Sequence, residues 1–231
     1  MTTELQKRYG DYVPPILTID SVVFRLQGGV LEVLLIRRQA EPFKGAWALP
    51  GGYNAAGETT QEAMARILHA KGGIAVDDLK YVEQLFTFDT VAKDPRGPAV
   101  SVAYMGLGTD LEPTASKSTQ QPQFFPINDL PDLAYDHANI IVYAHERLRS
   151  KLTYTNAIYG LLPAMFTLTE LQSAYEAVFG RAFDKRNFRK KFLSLNLIDE
   201  TGDSRQDGAH RPARLYHFTS PNLETLERSF D

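Results

Sequence analysis

The stretch Gly51-Gly52-Tyr53-Asn54-Ala55-Ala56-Gly57-Glu58-Thr59-Thr60-Gln61-Glu62-Ala63-Met64-Ala65-Arg66-Ile67-Leu68-His69-Ala70-Lys71-Gly72-Gly73-Ile74 decides how this chain is read. A glycine-rich loop opens it, and Trp47-Ala48-Leu49-Pro50 leads into that loop. The pattern predicts a helix from about Thr59 to Ala70, stopped by Gly72-Gly73. Glu58 and Glu62 stand near its beginning, where the helix dipole favours acids, and Arg66 is placed to pair with one of them.

Working outward, Ile16 to Leu26 is rich in Val, Ile and Phe and reads as a strand. Gly28-Gly29 turns the chain, and Val30 to Arg37 returns as a second strand. Tyr81–Phe88 and Val100–Gly106 read as two further strands, Phe124–Ile127 as a short one, and His137 to Lys151 as a helix. The order is that of an α+β domain. Near Tyr154 the character becomes helical, which divides the chain into residues 1–153 and 154–231. Thr167 followed by Glu170 is a capping-box pattern, and Gly180 should end that helix. Asp184 caps a next helix, Lys185 to Asn196, and Ile198 to Phe218 reads as a β-hairpin.

The chain has 231 residues, 43% hydrophobic and 23% charged, ordinary values for a soluble globular protein. With no cysteine, disulfides, thiolate catalysis and zinc–thiolate sites are excluded, which fits a reducing cytoplasm. Met1 to Tyr12 is polar, so no signal peptide is expected, and the apolar run Ile140–Val142 is too short for a bilayer. The net charge of −3 does not mark a nucleic-acid binder as a whole. The balance changes locally. Between Arg181 and Tyr216 stand nine Lys/Arg and five Asp/Glu, a surplus of four. On a 3.6-residue helix Phe188, Phe192 and Leu195 share one face, while Arg186, Arg189 and Lys190 share the other. An apolar docking face with a basic outer face suits a recognition helix in a major groove, although a solvated amphipathic helix has the same pattern. Lys185, Arg186, Arg189 and Lys190 are the candidate DNA contacts of the helix, and Arg211 and Arg214 those of the hairpin.

Gly52, Glu58, Arg66, Leu68, Gly73 and Ile74 fall in register with the signature of the Nudix family, which this run resembles. The resemblance implies a Nudix-type α/β/α sandwich. In Nudix hydrolases, glutamates after the arginine of the signature hold divalent metal beside a pyrophosphate. Those positions are Ile67, Ala70 and Lys71 here. Magnesium wants carboxylate oxygens, and a lysine would repel it. The resemblance therefore implies the fold without the hydrolysis: no catalytic residue, no metal, and no cofactor beyond an effector. A pocket on this fold would use Arg38, Gly51, Gly52, Phe88 and Arg96, since arginine recognises phosphate bidentately and aromatic rings stack on bases. Simple exposure for Arg38 and Arg96, and core packing for Phe88, are the competing explanations.

Taken with Phe124-Phe125-Pro126, Leu133-Ala134-Tyr135-Asp136-His137, Leu161-Leu162-Pro163, Asn187-Phe188-Arg189-Lys190 and Arg211-Pro212-Ala213-Arg214-Leu215-Tyr216, the chain resembles the Nudix-related transcriptional regulators of the NrtR type. These combine a degenerate Nudix domain with a C-terminal winged helix-turn-helix. The resemblance spans about residues 12–218. It implies a repressor of NAD-metabolism genes that senses ADP-ribose or another nucleotide, as a homodimer on palindromic double-stranded operator DNA. His210 departs from the family, which commonly has glycine before Arg-Pro. Related regulators sense sugars, so the effector stays open, as does the alternative of a Nudix hydrolase acting on nucleoside diphosphate derivatives. A protein-interaction module is a third reading.

Overall fold

The computed structural model describes residues 14–90, 95, 97–114, 121–206 and 212–226. Strand β1 (Ile16–Gln27) is the axis of a seven-stranded sheet. It runs antiparallel to β2 (Val30–Arg37) through a turn in which Gly28 and Gly29 both take positive φ, 57° and 80°. Only glycine adopts two such residues without a steric penalty. On its other edge β1 runs parallel to β6 (Ala99–Leu107), which pairs antiparallel with β5 (Tyr81–Thr90). Three short strands complete the sheet. β3 (Trp47–Ala48) and β7 (Gln123–Pro126) pair with β2, and β4 (Gly51–Tyr53) pairs with β1. The glycine-rich loop thus contains two strands that local pattern did not announce. At two and three residues they are too short to carry a periodicity, and only their partners define them.

Successive side chains of a strand face opposite sides. Ile19 and Val23 of β1, Leu34 of β2, and Val102 and Tyr104 of β6 point to one core. Helix α1 (Thr60–Ile67) packs there through Ala63, Met64 and Ile67. Thr59 and Glu62 close a capping box at its start. The helix does not continue regularly to Ala70, because Leu68–Gly72 form a π-helical turn. Gly73 then ends it at φ 68°, and a Cβ there would lie 2.5 Å from the Thr114 carbonyl oxygen.

Val22, Phe24, Val33, Leu35, Ala103, Met105 and Leu107 point to the opposite core. Helix α2 (His137–Tyr154) covers it with Ile140, Ile141, Ala144, Leu148 and Leu152. It runs one turn beyond the Lys151 limit read from sequence, because Leu152 is fully buried and Thr155 Oγ1 caps the Lys151 carbonyl at 2.8 Å. The same core continues into the C-terminal part of the chain. After a 3₁₀ segment (Ala157–Leu161) come α3 (Leu168–Phe179), α4 (Lys185–Leu193) and the hairpin β8 (Ile198–Arg205) with β9 (Ala213–Phe218). Phe166 exchanges two backbone hydrogen bonds with Tyr216 of β9, at 2.9 and 2.8 Å. Asn156 is buried, and its amide joins Asn222 and Glu224 at 3.0 and 2.7 Å. No helix among the described residues is long and apolar enough to cross a membrane.

A buried charge cluster fastens α2 to β5. Glu83 accepts hydrogen bonds from Tyr81 Oη at 2.7 Å, Lys151 Nζ at 2.9 Å and Arg147 Nε at 3.2 Å. Lys151 is only 5% exposed. Burial pushes the Glu83 carboxyl up, but the hydrogen bonds from Lys151, Tyr81 and Arg147 outweigh it and hold it below the usual carboxylate range. A depressed folded pKa gives stability that is present above the unfolded value and lost as pH falls through the folded one. Glu83→Ala, which strands the buried Lys151, should destabilise the fold by on the order of 3 kcal/mol at pH 7. The gap from wild type should narrow below a pH of about 4 as the wild-type carboxyl protonates. Urea denaturation at several pH values measures this, and a gap that does not depend on pH would contradict it.

Candidate functional site

A cavity of about 610 Å³ opens where β1, β2, β4 and β6 meet the start of α2 and the end of α1. Its buried wall is polar. Asp20 of β1 accepts a hydrogen bond from Ser101 Oγ of β6 at 2.5 Å, and its other oxygen lies 3.6 Å from His137 Nε2. His137 opens α2, and its Nδ1 accepts the Leu49 backbone N–H at 2.8 Å. A backbone amide can only donate, so Nδ1 is unprotonated and Nε2 carries the proton toward Asp20. Burial disfavours the imidazolium more than Asp20 favours it, so the His137 pKa is lowered and the ring is neutral at pH 7. Gly51 completes this wall by having no side chain, since a Cβ there would stand 2.0 Å from Asp20 Oδ1.

Arg38, Gly51, Gly52 and Phe88 all line this cavity, and Arg96 lies outside the described residues. Arg38 is held by the Pro42 and Ala40 carbonyls at 2.7 and 3.3 Å, with its guanidinium 4.9 Å from the Tyr135 ring centre. Phe88 both lines the cavity and packs on Phe86 and Tyr143, at 5.4 and 5.6 Å between ring centres. Sequence reasoning missed Asp20, Ser101 and His137. The one available signal was an acid inside the otherwise apolar run of β1, since an unpaired carboxylate is costly to bury.

Ile67, Ala70 and Lys71, the positions singled out in the sequence, carry no carboxylate. Ile67 is buried in the cavity floor, and Lys71 Nζ donates to the Gly51 carbonyl at 2.5 Å. Glu58 is engaged by Arg66, through Nε at 2.9 Å and through Nη2, and by the Ala55 N–H. Arg66 first, and then the Ala55 amide, hold its carboxyl below the usual range. Arg66 thus pairs with Glu58, while Glu62 belongs to the helix cap. Of the two acids, only Glu62 lies in the first turn of α1. Among the described residues no three His, Asp or Glu side chains converge as a metal would require.

The second candidate surface lies on α4. Asp184 caps it by accepting the Asn187 N–H at 2.8 Å. Phe188 and Phe192 are buried against Tyr175, at 5.4 and 5.7 Å between ring centres. This docking leaves Lys185, Arg186 and Lys190 exposed together. Arg189 is half-buried and turns back to α3, donating Nη2 to Thr169 Oγ1 at 3.0 Å. On the hairpin, Arg214 is exposed and paired with Glu200 at 2.9 Å, and Arg205 pairs with Glu170 at the start of α3. Arg211 and His210 lie outside the described residues.

Comparisons with known proteins match the same two parts of the chain. The NUDIX domain family matches residues 14–144, and the NrtR DNA-binding winged helix domain family matches residues 158–218. The chain is 36% identical over 219 residues to the ADPR responsive transcriptional repressor NtrR of Acinetobacter baylyi, which covers 92% of this chain and 86% of that protein. It superposes on Shewanella oneidensis NrtR complexed with a 27mer DNA with a TM-score of 0.77 and 30% identity, over 93% of this chain and 99% of the other. The NUDIX domain of the same Shewanella protein, complexed with ADP ribose, aligns with a TM-score of 0.53 and 32% identity, over 64% of this chain and 99% of that domain.

The tight approach of Gly51 to Asp20 is open to direct test. Gly51→Ala should destabilise the N-terminal part by roughly 1–3 kcal/mol, the usual range for an overpacked interior. Denaturant unfolding measures it, and wild-type stability in the variant would show that the wall is looser than drawn.

Proposed function

The chain belongs to the Nudix-related transcriptional regulators of the NrtR type, and we propose that its cavity is the sensor and its α4 surface the DNA-reading element of a repressor responsive to ADP-ribose. The observation that carries this reading is the likeness, over 93% of the chain, to a regulator solved on DNA. The chain divides near residue 154 into a sensing part, 1–153, and a DNA-binding part, 154–231. Arg38, the Gly51-Gly52 backbone, Phe88 and Arg96 bind the effector. Lys185, Arg186, Arg189, Lys190, Arg211 and Arg214 meet the operator. The partner is palindromic double-stranded DNA bound by a homodimer in the cytoplasm, upstream of genes of NAD metabolism.

The sensor performs no hydrolysis in this reading. Magnesium at a diphosphate needs hard oxygen ligands. Ile67, Ala70 and Lys71 supply none, and Glu58 is committed to Arg66. A divalent metal does not fit this donor set. What remains is a cavity that can bind and cannot cut.

Helix α2 supports a route from cavity to DNA. Its first residue, His137, is in the cavity wall. Farther along, His145 Nε2 lies 2.7 Å from the Val178 carbonyl of α3, the helix against whose Tyr175 α4 packs. A shift of α2 on ligand binding changes the spacing of the two recognition helices in a dimer, which the DNA helical repeat fixes.

Three outcomes follow. Gel shifts with DNA from upstream of the gene and its neighbours should show binding that ADP-ribose weakens by about 5- to 150-fold, the ordinary range of allosteric coupling. Unchanged shifts at saturating ADP-ribose would remove this ligand as the effector. Arg186→Ala with Lys190→Ala should weaken binding on all sequences and flatten the salt dependence by a slope of about 2 if both touch phosphate. An unaltered salt slope would take those side chains off the DNA. Purified protein with magnesium should not hydrolyse ADP-ribose, and turnover that disappears in Glu58→Gln would establish a hydrolase instead.

A further inference from the structure

We infer that Asp20 and His137 together recognise a sugar hydroxyl of the effector, with Asp20 accepting its proton and His137 donating to its oxygen. The inference rests on the reading that the cavity binds a nucleotide sugar such as ADP-ribose, and it names the part of that ligand that reaches the buried polar wall.

The wall joins Asp20 on β1, Ser101 on β6 and His137 at the start of α2. Asp20 is 7% exposed and His137 6%, yet both line the cavity. Taking a carboxylate this far from water is costly unless hydrogen bonds replace the water. Ser101 Oγ supplies one, to Oδ2 at 2.5 Å. The other oxygen, Oδ1, faces His137 Nε2 at 3.6 Å, which is longer than a hydrogen bond. Gly51 leaves this oxygen uncovered, because a Cβ there would stand 2.0 Å from it. On the imidazole, Nδ1 is taken by the Leu49 N–H at 2.8 Å, so the donor of the ring is its Nε2–H. Burial keeps the ring neutral, so it does not cancel the charge of the carboxylate.

An acceptor and a donor therefore face each other across a gap slightly too wide for them to bond directly. The group that fits between them must both donate and accept. A phosphate has no proton to give at neutral pH, and the carboxylate repels it. An amine donates to Oδ1 but has no lone pair for Nε2–H once it is protonated or conjugated, and a carbonyl accepts but cannot donate. A hydroxyl does both. Its bond to Asp20 is assisted by the charge of the carboxylate, which makes it one of the stronger contacts an uncharged ligand group can form. In a nucleotide sugar, the hydroxyls are those of its sugars.

Titration calorimetry of the full chain with three ligands tests this. They are ADP-ribose, ADP, which lacks the terminal ribose, and 2′,3′-dideoxyadenosine diphosphate, which also lacks the adenosine hydroxyls. Weak binding is read by displacement of ADP-ribose. Asp20→Asn removes the charge and keeps the shape. It should weaken ADP-ribose binding by roughly 10- to 100-fold, the worth of a hydrogen bond to a charged group. For the dideoxy nucleotide, the variant should stay within about twofold of wild type. ADP tells the two sugars apart: unchanged affinity assigns Asp20 to the terminal ribose, and a loss equal to that of ADP-ribose assigns it to the adenosine ribose. Thermal unfolding reports whether the fold survives, and Ser101→Ala, which loosens Asp20, supplies the same contrast at smaller size if the asparagine variant does not fold. Equal losses on all three ligands, as a structural role or an adenine contact would give, overturn the inference. So does unchanged binding of ADP-ribose, and both results leave the regulator reading intact. A wild type that shifts operator DNA but gives no heat with ADP-ribose overturns the ligand assignment together with this one.

Discussion

The constraint on which the rest of this structure depends is the burial of one face of α2. Ile140, Ile141, Ala144, Leu148 and Leu152 recur at helical spacing and all lie against the sheet. Burying side chains of this kind contributes roughly 1.5–3 kcal/mol each, so the helix has one rotational setting. That setting puts His137 into the cavity wall and Lys151 against Glu83. It also delivers the chain, at Tyr154, to the point where the C-terminal helices begin. The 3₁₀ segment that follows fits closely, since a Cβ on Gly160 would lie 2.7 Å from the Leu107 Cβ. A single core therefore runs from β1 through α2 to α3 and α4.

The cavity is built on the sheet beside that element. Strand β1 supplies Asp20, β6 supplies Ser101, α2 supplies His137 and β4 supplies the bare glycine that lets Asp20 approach. Each buried polar group in this set has a partner, which is the condition for carrying polarity so deep. On the opposite side of the loop, α1 and its π-helical turn contribute Ile67 and Lys71. The floor of the cavity thus pairs an apolar side chain with a cation. That combination is consistent with a family in which Nudix and winged-helix parts occur together and a relative is named as an ADPR responsive repressor.

On the DNA-binding side, packing refines what charge alone suggests. The aromatic seam of Phe188, Phe192 and Tyr175 sets the rotation of α4, and its outer face carries Lys185, Arg186 and Lys190. Arg189 is drawn instead to Thr169, and Arg214 to Glu200. Salt bridges of this exposed kind are worth little to stability.

Much of this was determined by the sequence alone, wherever the cause is local. Apolar runs marked β1, β2, β5 and β6, and the Thr59 and Thr167 caps and the Gly73 and Gly180 ends follow from bonds within a few residues. The resemblance to the family signature is likewise a matter of spacing along the chain. Tertiary structure alone decided the rest. β3 and β4 exist because β2 and β1 pair with them. Asp20 meets Ser101 across 81 positions, Leu49 meets His137 across 88, and Arg189 meets Thr169 across 20. No periodicity links such residues. Their meeting is fixed by sheet order and helix rotation, which are set by the sum of buried contacts over the whole core rather than by any segment of it.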